Sequence, residues 1–156
     1  TKININVILC ANSDEKVTNI ENIFNVLKRQ ANDRQTFDII TVINAIGVDE
    51  SSETFTLVYA FVKQDNKSSQ INIADVASFE IKNEFNDEFS KYSNISQGQM
   101  YSRIHIDDRY FPGAGQYELQ IYKFEGEVDS EKIDKIRKTD EYEDKIECIV
   151  NFEIVE

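Results

Sequence analysis

Nucleophilic chemistry in this chain has one imidazole to draw on. His105, in the run Arg103-Ile104-His105-Ile106-Asp107-Asp108, is the only histidine among 156 residues. A Ser-His-Asp or Cys-His site must use it. It alternates with Ile104 and Ile106, so it points away from their face of a strand. Spacing marks neither Cys10, Cys148 nor any serine as its partner, so His105 reads as an exposed or hydrogen-bonded strand residue. No catalytic residue is assigned.

The two cysteines sit at the edges of apolar runs and match no zinc or redox spacing, so they read as buried free thiols. The five glycines form neither a dinucleotide fingerprint nor a P-loop. No cofactor and no metal site are expected. Asp107-Asp108, with Asp49-Glu50 or acids of the 125–147 segment, is the alternative calcium-ligating set, but the alternating oxygen-ligand pattern is missing. Tyr101, Tyr110, Phe111, Tyr117 and Tyr122 lie close in sequence. They read mainly as core, with a carbohydrate-type contact patch as the alternative.

Carboxylates are the most concentrated functional groups. Residues 125–147 hold ten acids against five bases. Glu125, Glu127, Asp129, Glu131, Asp140, Glu141, Glu143 and Asp144 are the candidate binding residues, facing a partner protein with a basic surface. Ile133 and Ile136 look too few to anchor a core helix, and Ser130 is placed to cap one weak helical turn. The segment therefore reads as a mobile, solvated excursion. The net charge of −12 argues against direct binding to nucleic acid or an anionic membrane. Mimicry of nucleic-acid charge is a variant of the basic-partner reading.

These groups need a scaffold, and the chain suggests one. Its length fits a single domain over 1–156 that buries about 70% of its unfolded surface. No run of 18 apolar residues occurs, and the opening residues lack a secretory pattern, so a cytoplasmic location is expected. Residues 3–10 alternate apolar and polar. Residues 54–63 are apolar on both faces, which marks a central strand. A phase slip near Ala74–Ala77 suggests a bulge. Residues 17–29 fit either an amphipathic helix, through Ile20, Ile23, Phe24 and Leu27, or an irregular strand. Residues 83–98 fit a short helix or an ordered loop.

The backbone punctuation is concentrated at one place. Pro112 is the only proline, and Gly113 and Gly115 are two of the five glycines. Pro112 must end the preceding strand, and the glycines permit positive φ. Tyr117, Leu119 and Ile121 then alternate outward into a new strand. Gly-x-Tyr at a strand start fits a tyrosine corner, in which the phenol bonds back to the connection between two sheets. An ordinary hairpin is the alternative. Seven or eight strands in all, with one or two short helical turns, predict an all-β, antiparallel, immunoglobulin-like or C2-like sandwich. In such a fold the first and last strands are expected as parallel neighbours. That keeps Cys10 and Cys148 at opposite ends and unpaired.

The two ends of the chain resemble an uncharacterised family of bacterial and phage proteins. The opening features are Leu9, Cys10, Lys16, Asn19, Ile20, Ile23 and Phe24. The later ones are Phe111, Pro112, Gly113, Tyr117 and the strand to Phe124. Asn22 stands where the family often has Gly, and 125–147 replaces a short turn. The resemblance implies a compact β-sandwich, favours strand over helix for 17–29, and is compatible with a phage or mobile-element setting. It implies no reaction. The expected function is a non-catalytic binding or accessory protein. A calcium- or carbohydrate-binding module, and then an enzyme with an unrecognised site, are the alternatives.

Overall fold

The computed structural model describes residues 2–14, 17, 19–28, 36–46, 53–64, 71–81, 97–107, 110–111 and 113–156. Among them are nine strands: β1 (Lys2–Ser13), β2 (Ile20–Ile23), β3 (Val26–Lys28), β4 (Thr36–Ile46), β5 (Glu53–Lys63), β6 (Ile71–Ile81), β7 (Gln97–Asp107), β8 (Gly115–Glu125) and β9 (Ile146–Val155). One α-helix, α1 (Ser130–Lys138), and a 3₁₀ turn at Glu143–Lys145 lie between β8 and β9. The chain is mostly β, arranged as two sheets. One has the order β2-β1-β4-β7 and the other β3-β9-β8-β5-β6. The pairings are antiparallel except β3 with β9.

Alternation along each strand builds the shared core. Phe37, Ile39 and Ile43 of β4 meet Phe55, Leu57, Tyr59 and Phe61 of β5, with Tyr117, Leu119 and Ile121 of β8 and Phe152 and Ile154 of β9. Phe37 and Phe61, from opposite sheets, pack edge to face with centroids 6.2 Å apart. The Tyr59 hydroxyl and Thr41 Oγ1 lie 2.7 Å apart inside this core, a polar tie between the sheets. Burial is the main force that pushes the Tyr59 phenol up to about 12.

The connection around Gly113 joins β7 of one sheet to β8 of the other, so it is a crossing rather than a hairpin. Tyr117 is buried, and its hydroxyl donates to the Gly113 carbonyl at 2.6 Å. Gly115 has φ +146, a conformation that favours glycine. Pro112 lies outside the described residues.

The described residues of 17–29 form no helix. The chain runs through β2 in one sheet and then β3 in the other, with Asn22, inside β2, at φ 56. Phe24 turns inward onto Phe37, at 5.3 Å, while Ile23 is 68% exposed. The helix-like spacing breaks down because a strand that changes sheets re-aims its side chains at each step. The first and last strands also depart from expectation. β1 lies in the four-stranded sheet, and the parallel neighbour of β9 is β3. The slip in β6 is a bulge: Tyr59 pairs with Asp75 and Ala60 with Ile73, passing over Ala74. Of residues 83–98, read as helix or loop, 83–96 lie outside the described residues, and Gln97 and Gly98 instead begin β7.

Candidate functional site

The 125–147 segment departs most from its sequence reading. It carries a nine-residue helix, and Ile136 is only 1% exposed. Ile136 packs with Val58, Ala60, Tyr122 and Phe124, and Ile133, Val128, Tyr142 and Ile146 add to this second cluster. The helix thus covers the outer face of β5 and β8. Two isoleucines suffice because the sheet supplies the rest of the apolar surface. Asp129, not Ser130, is the N-cap; its side chain accepts from the Lys132 N–H at 2.9 Å. Lys135, Arg137 and Lys138 occupy the last turn, where cations suit the helix dipole.

Docking the helix fixes its acids in space. Glu125, Glu127, Asp129, Glu131, Asp140, Glu141, Glu143 and Asp144 are all exposed. Some are already engaged: Lys135 lies 3.7 Å from both Glu131 and Glu141, and Asp134 lies 3.8 Å from Arg137. Asp140, Glu143 and Asp144 make no ion pair with another described residue.

A cleft of about 210 Å³ opens where the end of α1 and the 3₁₀ turn meet the sheet. Ile71, Ile136, Tyr142 and Ile146 contribute apolar wall, and Gln120, Tyr122, Thr139, Asp140 and Glu143 contribute polar groups. The Tyr122 hydroxyl donates to Gln120 Oε1 at 3.1 Å, and Gln120 Nε2 donates to Glu118 at 3.0 Å. Thr139 Oγ1 donates to the Lys135 carbonyl at 2.8 Å. Burial raises the Tyr122 phenol, and the nearby negative charges of Glu143 and Asp140 raise it further.

Sequence reasoning missed a second constellation, on the outer face of the four-stranded sheet. Register places Ile23, Cys10, Asp38 and His105 in one row across β2, β1, β4 and β7. Asp38 is 1% exposed. Its Oδ2 accepts from the Ser13 hydroxyl at 2.6 Å and lies 3.4 Å from Arg103 Nε. Its Oδ1 lies 2.6 Å from His105 Nδ1. Burial alone pushes the Asp38 carboxyl up. Hydrogen bonds from Ser13 and His105 and the positive charge of Arg103 outweigh it and hold the group below the ordinary aspartate range. An ionised carboxylate only accepts, so Nδ1 of His105 is the protonated nitrogen and Nε2 faces away from Asp38.

This arrangement differs from a catalytic triad. The carboxylate sits between serine and histidine, and the Ser13 hydroxyl is committed to Asp38 instead of to an imidazole base. Ser13 Oγ also accepts from Arg103 Nε at 2.8 Å. Burial pushes the neighbouring Cys10 thiol up, and the Asp38 charge adds to that, so the thiol is held away from its nucleophilic form. What the cluster does physically is clamp β1, β4 and β7 across the sheet. The signal in the sequence was Asp38, a charge within the apolar run Phe37–Ile46; its partners come only with strand register.

The five aromatic residues do not make a single patch. Phe111 and Tyr117 are in the main core, Tyr110 packs on Phe61, and Tyr122 is in the second cluster. Tyr101 alone is exposed, at 54%, on the outer face of β7. Asp49, Glu50 and Asp108 lie outside the described residues. Among the described residues no group of three or more His, Cys, Asp or Glu side chains is placed to hold a metal ion. No helix among them is long and apolar enough to cross a membrane. Comparison of the chain with family models, curated proteins and solved structures finds no match.

Proposed function

We propose that the protein is a non-catalytic binding domain on an immunoglobulin-like scaffold, with the acidic face of residues 125–147 meeting a basic surface on a partner protein. Strand order supports the scaffold. β1-β4-β7 opposes β3-β9-β8-β5-β6, the N-terminal segment contributes to both sheets, and a tyrosine corner opens β8.

The docked helix carries the functional part. A solvated loop must lose conformational freedom on binding, whereas acids on a packed helix and turn are already ordered. Eight exposed carboxylates there project from one surface excursion of a chain with net charge −12. Such charges chiefly accelerate encounter with a basic surface and are weakened by salt.

Deleting the segment would uncover Val58, Ala60, Tyr122 and Phe124, so charge neutralisation is the cleaner test. The tagged protein is used to recover its partner from the native host. The recovery is repeated with Glu127→Gln, Asp140→Asn, Glu143→Gln and Asp144→Asn combined. Loss of the partner, with parental recovery falling as salt rises, is expected. Equal recovery by a folded variant would remove the acidic face from the interaction.

A further inference from the structure

The cleft beside α1 has a chemistry narrower than general acidity. The charged groups that line it are both carboxylates, Asp140 and Glu143, beside the amides of Gln64 and Gln120. The hydroxyls of Tyr122 and Thr139 direct their protons to protein acceptors, and the Gln120 amide donates to Glu118. Tyr122 is 95% buried by its 5% exposure, yet its oxygen accepts from no described residue. The Asp140 and Glu143 carboxylates border the same space, and both raise the Tyr122 phenol beyond the effect of burial. A wall of Ile71, Ile136 and Tyr142 completes it. The missing complement is a cationic donor on an apolar stem.

We propose that this cleft receives one lysine or arginine side chain of the partner, its stem against Ile136 and Tyr142 and its cationic head toward Asp140, Glu143 and the Tyr122 oxygen. The proposal rests on the basic-partner reading and sharpens it from a charged face to a socket. About 210 Å³ is room for one long side chain rather than a folded segment. Long cationic side chains bury their stems on apolar surface while the head remains at a polar rim. An ammonium or guanidinium group supplies several donors to a site that offers acceptors.

The test is a two-dimensional amide NMR titration of the whole protein with N-acetyl-lysine methylamide, its arginine counterpart, and its norleucine counterpart. Norleucine keeps an apolar stem and lacks the charge. Saturable shifts centred on Tyr122, Ile136 and Thr139 are expected with one or both cationic probes, and binding about tenfold weaker with norleucine. Asp140→Asn with Glu143→Gln should weaken the cationic probe about tenfold, whereas Glu21→Gln with Glu156→Gln, the same change in net charge at exposed positions outside 125–147, should leave it unchanged. Equal weakening by both pairs, equal binding of norleucine, or shifts spread evenly over the acidic face would overturn the socket. If the socket fails while charge neutralisation still abolishes partner recovery, the basic-partner reading stands. If the probe binds but recovery survives neutralisation, the cleft binds a cationic side chain in isolation, and both the basic-partner reading and the partner's use of the socket fall.

Discussion

Asp38 Oδ1 and His105 Nδ1 lie 2.6 Å apart across the β4–β7 pairing, a nearly sealed carboxylate against a ring that is 53% exposed. The carboxylate is stabilised in its charged form, so folding gains from it only where it is ionised. Its folded pKa is lower than the ordinary 3.8. Stability from this group is therefore complete above that value and is lost as pH falls through the folded one. Asp38→Asn should cost about 1–3 kcal/mol near neutral pH, because Ser13 and Arg103 lose a charged acceptor. Denaturant melts at a series of acidic pH values should show a shallower acid decline for the variant. An unchanged decline would assign acid sensitivity to other carboxylates.

Tyr117 ties the connection before β8 back onto itself through Gly113. Tyr117→Phe should cost about 0.5–1.5 kcal/mol for the bond alone. Tyr117→Ala should cost on the order of 3–5 kcal/mol, because the ring stacks on Phe152 and packs edge-on to Phe111 inside the core. Equilibrium unfolding measures both. Equal losses would mean that the hydroxyl, and not the ring, holds the corner.

Ile136 is the helix residue most deeply set against the second face of β5. Ile136→Ala should cost about 2–4 kcal/mol, and Asp129→Ala about 1 kcal/mol through its cap. In both variants amide exchange should rise across 130–138 more than in β4 or β8. A uniform rise over the whole chain would show that helix and sheets unfold together.

Cys10 and Cys148 are both free, in different sheets, and burial raises both thiols. The unreduced protein should have the mass of the dithiol form. Thiol reagents should label Cys10, which is fully buried, only as fast as the fold opens. Rapid labelling of Cys10 in the folded protein would place that edge of β1 in an open state.

Strands were legible where one property repeated. Alternation in residues 3–10 and the two apolar faces of 54–63 correspond to β1 and to the covered strand β5. The slip near Ala74 corresponds to the bulge, and Gly113 and Gly115 to the passage between sheets. The same two-faced burial of β5 implied a cover for its outer side, yet the helix that covers it was hidden. Its apolar contribution is small because Val58, Ala60, Tyr122 and Phe124 provide most of the interface. The Asp38 cluster was hidden for a different reason. Its members stand 25 and 67 residues away along the chain, and only pairing register brings Ser13 and His105 to one carboxylate.

The parallel pairing of Val26–Lys28 with Glu153–Val155 has a consequence for the order in which the molecule is completed during synthesis. An emerging polypeptide can assemble β1, β4 and β7 while later residues are still inside the ribosome. Among the described strands β3 pairs only with β9, and β9 itself fills the gap between β3 and β8. Closing so long a loop is entropically slow, and strand edges left waiting are prone to aberrant pairing. The ten residues of β9 therefore act as the closing stave of the structure. A nascent domain arrested before them should remain sensitive to protease at residues 20–28 while β1, β4 and β7 are already protected.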